Sequence, residues 1–248
     1  MTTLFISDLH LSPERPEKLA LFKVLLQGPA KNAASLYILG DLFERFWIGV
    51  DDDTPLNTEI ISILADFTRD GNHQLFVMCG NRDFYLDRKF ESMTGCRLLP
   101  DPAVVHLNGR KTLIMHGDTL CTNDVHYQKW RRFITNNGIR KTFFSLPLSV
   151  RRMIAHGVRG VTRRAASKKP VGIIDVNQDT VLQVMQEYEV QELIHGHTHR
   201  QAIHEFRIND KKARRIVLGD WYSGDCILLC DTNGFQMMGI QQYIDQYY

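Results

Sequence analysis

The sequence lacks several features that define other classes of protein. No apolar run in its 248 residues approaches the roughly 18 to 20 residues that span a bilayer, and no basic segment precedes an apolar one at the N-terminus. It has only five cysteines, an odd number without paired zinc-type spacing. We therefore expect a cytoplasmic globular protein with reduced thiols, and its 44% hydrophobic content is ample for a sizeable core.

Acidic residues are missing from one long segment. Between Asp124 and Asp175 there is no Asp or Glu, but there are 12 Lys and Arg residues. The remainder then carries 30 − 12 = 18 basic residues against 28 acidic ones, although the net charge of the whole chain is only +2. A basic segment inserted into an acidic body predicts an anionic partner, such as a phosphate group, nucleic acid or an anionic membrane surface.

Short apolar runs predict five buried strands, and each ends at polar residues of the types that bind metals. The runs Thr3–Ser7, Ser35–Leu39, Leu75–Cys79, Thr112–Met115 and Glu192–Ile194 lead to Asp8 and His10, Asp41, Asn81, His116, and His197 and His199, respectively. Helical periodicity from about Glu17 to Leu26 and from Asn57 to Thr68 separates the first strands, which favours a layered α/β or α+β sheet fold. Open sheets place their sites at such strand ends.

The last part of the chain predicts more strands. The runs Arg215–Leu218, Cys226–Leu229 and Phe235–Gly239 are separated by turn residues and have no helix-length segment between them. We therefore predict a second, antiparallel sheet that packs on the first. Cys226 and Cys230 are interpreted as buried strand residues rather than as redox or metal groups.

The basic segment predicts a helical cap at residues 125–169, inserted into a core formed by residues 1–124 and 170–248. Helical stretches are predicted at Val125–Thr135 and Leu148–Ala155, with interruptions around Asn136–Gly138 and Leu146–Pro147. Its apolar residues could shelter acyl chains or pack on the core. They are Phe143, Phe144, Leu146, Leu148, Val150, Met153 and Ile154.

The strand-end residues form a set of oxygen and imidazole donors without thiolate, which selects manganese, iron or zinc over copper. Seven ligands exceed the needs of one tetrahedral zinc ion and suit two ions. Asp41 can bridge them because each carboxylate oxygen can hold one ion. We interpret His195 as a packed or orienting residue, and Asp83 and Asp118 as groups that orient histidine or the backbone. Trp47 and Asp51–Asp53 are interpreted as a packed ring and a capped turn.

In this order, the blocks Asp-x-His, Gly-Asp, Gly-Asn, His-Gly-Asp and Gly-His-x-His resemble the calcineurin-like metallophosphoesterases. The resemblance implies a two-sheet sandwich flanked by helices. It also implies one ion on Asp8, His10, Asp41 and His199, and a second ion on Asp41, Asn81, His116 and His197. A hydroxide held by both ions would attack phosphorus in line.

One residue departs from the general family pattern. The family usually has a histidine after Gly-Asn, whereas this chain has Arg82. Arginine cannot donate a proton near neutral pH, but its planar fork can hold two phosphate oxygens. A phosphate leaving group needs no proton, unlike an alkoxide, so Arg82 predicts cleavage of a pyrophosphate bond.

Four longer blocks resemble the branch of this family that acts in lipid A biosynthesis. They are Gly40–Glu44, Gly80–Phe84, Met115–Cys121 and Asp175–Gln178. That resemblance implies hydrolysis of UDP-2,3-diacylglucosamine to UMP and 2,3-diacylglucosamine 1-phosphate, with two manganese ions per chain and attack on the α-phosphorus. Asn81, Arg82 and His116 would be catalytic. The substrate would contact Asn81, Arg82, Asp124, Thr162, Lys169 and His197. Ala166 stands where the family pattern has Asn, so this chain lacks a side chain there that could hydrogen-bond the sugar or phosphate.

The resemblance further implies a peripheral protein, expected as a monomer, on the cytoplasmic face of the inner membrane, with an anionic membrane surface as partner and no nucleic acid. A nuclease or cyclic-nucleotide phosphodiesterase, whose basic cap would bind nucleic acid, is the main alternative. A scaffold that has lost its metals is disfavoured, because all seven ligand types are present.

Overall fold

A computed structural model describes residues 2–166, 175–222 and 224–247 of the chain, with side chains omitted for residues 159–166. The strands are β1 Thr3–Ile6, β2 Ser35–Leu39, β3 Gln74–Met78, β4 Arg97–Leu99, β5 Ala103–Leu107, β6 Arg110–Met115, β7 Glu192–His195, β8 Ala202–Ile208, β9 Lys211–Val217, β10 Ile227–Asp231 and β11 Gly234–Met238. The helices are α1 Pro16–Gln27, α2 Pro55–Thr68, α3 Arg88–Thr94, α4 Val125–Ile134, α5 Asn137–Ser145, α6 Leu148–Ala166, α7 Gln178–Glu187 and α8 Ile240–Tyr247. Short 3-10 turns lie at Pro29–Asn32 and Asp118–Leu120.

The strands form two sheets, so the predicted layered sandwich is confirmed. The first has the order β11-β10-β1-β2-β3-β4, and the second β5-β6-β7-β9-β8. Strands β1 to β4 run parallel to one another, as do β6, β7 and β9. The strands that precede the predicted ligands therefore share a direction within each sheet, which brings their carboxyl ends to one edge.

Alternation along the strands builds three layers of core. In β1, Leu4 and Ile6 face the helices, whereas Phe5 faces the second sheet, and all three are fully buried. The core between the sheets also contains Ile114 and Ile194 from the second sheet. A third cluster, which includes Val181 of α7, covers the outer face of β6 and β7. The side-chain period of two thus lets each central strand contribute to two cores at once.

The C-terminal strands do not form a separate antiparallel sheet, so that prediction is wrong. Strand β9 pairs in parallel with β7 and joins the second sheet together with β8, while β10 and β11 extend the first sheet beside β1. The run Ile227–Cys230 is buried throughout, with Leu228 between the sheets and Ile227 on the helical side. A strand that is apolar on both faces requires a central position in a covered sheet.

The basic segment folds as α4, α5 and α6. Both predicted helical stretches are present, but the interruption predicted around Asn136–Gly138 is only a boundary between helices. The side chain of Asn136 accepts hydrogen bonds from the amides of Gly138 and Ile139 and so caps α5. The tripeptide Asn-Asn-Gly is typical of a turn, but here its first asparagine, Asn136, is the N-cap of a helix. Among the described residues, no helix combines the length and apolarity needed to cross a bilayer.

Candidate metal centre

The two sheets bring all seven predicted ligands together. Asp8 and His10 follow β1, Asp41 follows β2, Asn81 follows β3, His116 follows β6, and His197 and His199 follow β7. Most of them are buried: Asp8 and His116 are fully so, and Asp41 is 2% exposed. The strand ends therefore place oxygen and nitrogen donors from both sheets in one cluster.

The backbone turns sharply where it presents these ligands. The φ angles of Asp8, His10, Asp41, His197 and His199 are 54°, 48°, 53°, 66° and 59°. This left-handed region is sparsely populated by residues other than glycine and costs on the order of 1–3 kcal/mol per residue. The chain holds five strained residues at one site, a pattern typical of functional sites.

Glycines beside the ligands leave room for close contacts. A Cβ atom on Gly196 would lie 2.0 Å from Oγ of Ser7 and 2.2 Å from Oδ2 of Asp8, while one on Gly40 would lie 2.6 Å from Nδ1 of His116. Any larger residue would push the ligand loops apart. The glycines of the Gly-His-x-His and Gly-Asp blocks are thus required by the packing of the centre.

One group of ligands surrounds Asp8. Nε2 of His199 lies 3.3 Å and Nε2 of His10 lies 3.9 Å from Oδ1 of Asp8. The two Nε2 atoms are 3.4 Å apart, and Oδ2 of Asp41 lies 3.7 Å from that of His10. The ligand atoms of Asp8, His10 and His199 have the spacing of ligands that converge on a single cation.

A second group lies on the other side of Asp41. Oδ1 of Asn81 lies 3.1 Å from Nε2 of His116 and 2.9 Å from Nδ1 of His197. Oδ1 of Asp41 lies 3.8 Å from Nε2 of His116. Asp41 thus directs Oδ2 toward the first group and Oδ1 toward the second, as a bridging carboxylate must.

An oxygen atom lies beside Nδ1 of three of the imidazoles and aims each ring. Nδ1 of His116 donates to the carbonyl oxygen of Leu39 at 2.8 Å. Nδ1 of His199 lies 2.8 Å from Oδ2 of Asp220, and Nδ1 of His10 lies 3.1 Å from Oε2 of Glu44. An acceptor beside Nδ1 keeps the proton there and leaves the Nε2 lone pair free for a cation.

The sequence analysis gave no role to Glu44 or Asp220, whose carboxylates lie beside the imidazoles of His10 and His199. Glu44 lies within the block Gly40–Glu44, but no role was assigned to it. Asp220 follows β9 as Gly219-Asp220, which repeats the dipeptide that delivers Asp41 after β2. A search for every Gly-Asp pair at a strand end would have found it.

The charges of the cluster favour cation binding. Burial lowers the pKa of His116, but the carboxylates of Asp41 and Asp8 outweigh it and raise that pKa to about 9. Burial is likewise outweighed at His199, where Asp220 and Asp8 raise the pKa to about 10. Burial raises the pKa of Asp8, but the surrounding histidines hold it well below its ordinary value. The buried carboxylates therefore draw positive charge to this point.

The residues fit a pair of divalent cations. Oδ1 of Asp8 is buried and accepts no hydrogen bond among the described residues. The atoms that lie beside it are the Nε2 atoms of His199 and His10, which are predicted ligands of the same ion. The donors are carboxylate, amide oxygen and imidazole, which suit manganese, iron or zinc. Asp8, His10, Asp41 and His199 would hold one ion, and Asp41, Asn81, His116 and His197 the other.

We expect metal binding to stabilise the folded protein strongly against thermal unfolding. Adding Mn²⁺ at about 100 times its Kd to chelator-treated protein should raise the midpoint of thermal unfolding by roughly 5 to 10 °C, because the ions bind only the folded state. Differential scanning fluorimetry measures this, with KCl at the same ionic strength as the control. An equal midpoint with and without Mn²⁺ would contradict the assignment of the ligands.

Asp220→Asn provides a test of the orienting carboxylate. The amide keeps the shape of the side chain but removes the charge beside Nδ1 of His199, so we expect metal affinity to fall by about 10- to 100-fold. Titration with Mn²⁺ followed by calorimetry gives the affinity. Asp179→Asn, an exposed position on α7, is the matched control, and equal affinities in the two variants would refute the orienting role.

Three other residues near the cluster orient or pack. Asp83 accepts hydrogen bonds from the amides of Leu42 at 2.8 Å and Gly80 at 2.5 Å, and burial together with Asp41 raises its pKa to about 6. Asp118 accepts from Nε of Arg131 at 2.6 Å and from the hydroxyl of Tyr127. His195 is fully buried, with Nε2 3.2 Å from Nη1 of Arg215. Burial and that arginine lower the pKa of His195 to about 3.

Arg82 borders the second group. Its amide donates to Oδ1 of Asp41 at 2.8 Å, and its carbonyl oxygen accepts from the amide of Trp47 at 2.9 Å. Both contacts fix the backbone. The side-chain Nε is buried and has no hydrogen-bond partner within the described part of the chain. The backbone of Arg82 is therefore fixed beside the metal ligands, and Nε of its side chain keeps donor capacity for a ligand.

The remaining predicted substrate contacts lie in or next to the cap. Asp124 is buried, and its side chain caps α4 by accepting from the amide of Tyr127 at 3.1 Å. Thr162 lies in α6, but its side chain is outside the described residues, as is the whole of Lys169. The ring of Tyr127 stacks 6.2 Å from that of His197. The first cap helix thus approaches the second group of ligands.

A buried ion network joins α4 to the ligand loops. Arg131 donates to Asp118 at 2.6 Å and to Asp101 at 3.1 Å, and Asp101 in turn accepts from the amide of His116 at 3.1 Å. Both carboxylates are almost fully buried, so this arginine is needed to balance their charge. The base of the cap and the loop that carries His116 therefore form one connected unit.

Two of the cap arginines pair with the loop that follows β2. Arg151 contacts Asp51, and Arg152 donates to Asp52 at 2.8 Å. Trp47 is 2% exposed and packs on Phe43, as the interpretation of a packed ring and turn expected. These two arginines hold α6 to the core, and their positive charges are balanced by the two aspartates.

Comparison with known proteins identifies the family. The calcineurin-like phosphoesterase model matches residues 1–201. The chain is 47% identical over 228 residues to a UDP-2,3-diacylglucosamine hydrolase from Aliivibrio fischeri (strain MJ11), which covers 92% of this chain and 94% of that protein. It is 45% identical over 234 residues to the hydrolase of the same name from Pseudomonas fluorescens (strain Pf0-1), covering 94% of each. This chain belongs to the calcineurin-like phosphoesterase family.

Proposed function

We propose that this chain hydrolyses the pyrophosphate bond of UDP-2,3-diacylglucosamine and releases UMP and 2,3-diacylglucosamine 1-phosphate. The observation that carries this proposal is the extent of the match to the relatives named UDP-2,3-diacylglucosamine hydrolase. A match over 92% of 248 residues leaves about 20 residues unmatched, fewer than the 45 of the cap segment 125–169. The similarity therefore extends into the cap, beyond the metal-binding motifs that the wider family shares.

We propose that the seven ligands hold two manganese ions. When bound, these ions supply Lewis acidity to the phosphate oxygens and lower the pKa of bound water. The protein contributes the fixed positions of the donors, since the imidazoles of His10, His116 and His199 are each oriented through Nδ1. Asn81 positions His116 and His197 by lying between them.

Arg82 gives the site its preference for an anhydride. Its guanidinium carries a permanent charge and a fork of donors, which suits oxygen atoms that gain charge in the transition state. It has no proton to give, so it cannot help an alkoxide to leave. The 1-phosphate of the lipid half is a stable leaving group at neutral pH and needs no such help. Arg82 would therefore favour a pyrophosphate over a phosphodiester of nucleic acid.

The cap would receive the lipid half of the substrate and meet the membrane. Phe143 is 8% exposed and packs on Tyr85 at 5.1 Å, so it anchors the cap to the core. Phe133 and Met153, by contrast, are 62% and 68% exposed. Exposed apolar side chains among cations suit the interface of an anionic leaflet. We propose that the protein binds peripherally, as a monomer, to the cytoplasmic face of the inner membrane.

Phe133→Ala tests this membrane contact. Losing one ring that is partly buried in lipid should weaken binding to phosphatidylglycerol vesicles by about fivefold. Flotation or co-sedimentation measures the bound fraction. Ile203→Ala removes an exposed apolar side chain from β8, 48% exposed and outside the cap, and should bind as the wild type does. Equal binding by all three proteins would exclude Phe133 from the membrane contact.

The proposed reaction is tested with competing substrates. Purified protein with Mn²⁺ is incubated separately with UDP-2,3-diacylglucosamine, with DNA and with bis-p-nitrophenyl phosphate, and UMP is measured by chromatography. We expect UMP from the first. His116→Ala should abolish its release, while His106→Ala, at an exposed position on β5, should not. Cleavage of DNA alone would favour a nuclease, and cleavage of nothing would favour a scaffold.

A further inference from the structure

A solvent-exposed aromatic side chain lies in the loop that follows β9 and carries Asp220. Tyr222 is 56% exposed, although its neighbour Trp221 is fully buried. The two residues follow Asp220, which lies 2.8 Å from His199. An exposed ring beside a buried anchor is held at the surface by the chain, and such rings are common where a partner is bound.

Two cations of the α1 region fix this ring. The Arg15 guanidinium lies over it, with Cζ 3.4 Å from the ring centroid, and Nη1 of Arg15 donates to the carbonyl oxygen of Tyr222 at 2.6 Å. Nζ of Lys18 donates to the carbonyl oxygen of Gly224 at 2.9 Å. One face of the ring is therefore covered by a cation, and the two cations hold the backbone at Tyr222 and at Gly224. The part of Tyr222 that stays exposed to solvent therefore has a fixed orientation.

The distance to the metal ligands is short. The amide of Trp221 donates to the carbonyl oxygen of Asp8 at 3.0 Å. Two residues of extended chain span at most about 7 Å, so the backbone of Tyr222 lies within that distance of the backbone of Asp220. The loop that carries Tyr222 therefore starts directly beside the ligands of the first group.

The cap and Tyr222 approach different halves of the centre. Tyr127 of α4 stacks on His197, which belongs to the second group of ligands. Tyr222 is connected through Asp220 to His199, which belongs to the first group. If the pyrophosphate of the substrate binds between the first and second groups of ligands, its nucleoside and its lipid extend to opposite sides of the metal centre. If the lipid half lies toward the cap, the nucleoside half lies toward Tyr222.

We propose that Tyr222 is the stacking platform for the base of the nucleotide half of the substrate, an inference that rests on the proposed function. A planar base can stack on any aromatic ring through its π face, and this contact does not require specific hydrogen bonds to the base. The Arg15 cation behind the ring leaves only the opposite face available. The occupant is therefore the pyrimidine ring of a nucleoside 5′-phosphate, with its phosphate at the metal centre.

The test compares UMP with ribose 5-phosphate, which has the same sugar and phosphate but no base. Binding of each to the Mn²⁺-loaded protein is measured by calorimetry. We expect the wild type to bind UMP about tenfold more tightly than ribose 5-phosphate. Tyr222→Ala should bind both equally, Tyr222→Phe should keep the preference, and Arg15→Ala should reduce it. Metal content and the unfolding midpoint of each variant establish that the centre is intact.

A Tyr222→Ala protein that still prefers UMP would overturn the proposal, as would a wild type without any preference. Loss of vesicle binding in Tyr222→Ala with the preference retained would also overturn it and would assign the ring to a lipid surface. The proposed function fails by a different result, namely no UMP release from UDP-2,3-diacylglucosamine by the wild type. The two failures are therefore distinguishable.

Discussion

Asp41→Asn is expected to reduce turnover by about 1,000-fold and to lower the metal content from two ions per chain to one or fewer. Asp41 is the residue that both ligand groups share, with Oδ2 3.7 Å from His10 and Oδ1 3.8 Å from His116. A Lewis acid contributes several kcal/mol to phosphoryl transfer, and each 1.4 kcal/mol corresponds to about tenfold in rate. Loss of the bridge should therefore remove most of the activity.

We expect the substitution to leave the local structure intact. Asparagine tolerates the left-handed backbone at this position and keeps an oxygen that can accept from the amide of Arg82. Metal content is measured by plasma mass spectrometry after gel filtration, and turnover by UMP release. Asp179→Asn on α7 is again the matched control. Two tightly bound ions and near-normal turnover in Asp41→Asn would show that Asp41 does not bridge.

Arg82→Ala should reduce kcat by about 100- to 1,000-fold while both metal ions stay bound. Removing one preorganised donor to developing charge typically has an effect of this size, and the side-chain Nε of Arg82 has no hydrogen-bond partner among the described residues. Arg82→Lys should recover only part of the rate, since an ammonium group is a point charge without the fork. Loss of one metal ion from Arg82→Ala would instead identify Arg82 as a structural support of the centre.

The pH dependence separates two roles for this residue. If Arg82 stabilises charge without transferring a proton, kcat of Arg82→Ala should fall by the same factor from pH 6 to pH 8, because the guanidinium does not titrate in this range. Arg88→Ala, exposed at the start of α3, is the control. A fall confined to one limb of the pH profile would indicate that the site depends on general acid catalysis and would contradict the anhydride preference.

The positions of the metal ligands could be predicted from sequence because each follows a short apolar run directly. Parallel strands place their carboxyl ends at one edge of a sheet, which brings Asp8 to Asp41 in the first sheet and His116 to His199 in the second. The meeting of these two sets depends on how the sheets pack on each other. His195 could be set apart from His197 and His199 because it still belongs to the buried strand β7. These inferences depend only on local pattern and on the geometry of a sheet.

Long-range pairing could not be predicted in the same way. Whether β9 pairs with β7 or with another strand depends on which sheet edge is open, and no residue of the run Arg215–Leu218 encodes that choice locally. The same limit applies to Asp220 and Glu44. Their roles depend on where a loop crosses another loop, and a carboxylate on a loop is common without any such role.

The roles of the basic residues in the cap could also be predicted only in part from the sequence. A segment with 12 basic residues and no acidic one predicts a cationic surface, but the partners of each cation lie elsewhere in the chain. Arg131 balances Asp101 and Asp118, while Arg151 and Arg152 pair with Asp51 and Asp52. These three arginines attach the cap to the core. Other cations of this segment, such as Lys129 and Arg132, are exposed.

Hydrolysis in water enriched in ¹⁸O tests the proposed reaction most directly. Mn²⁺-loaded protein is incubated with UDP-2,3-diacylglucosamine in this solvent, and both products are analysed by mass spectrometry. Attack of water on the α-phosphorus predicts one ¹⁸O atom in UMP and none in 2,3-diacylglucosamine 1-phosphate. Label in the lipid phosphate, or no UMP at all, would contradict the proposed reaction.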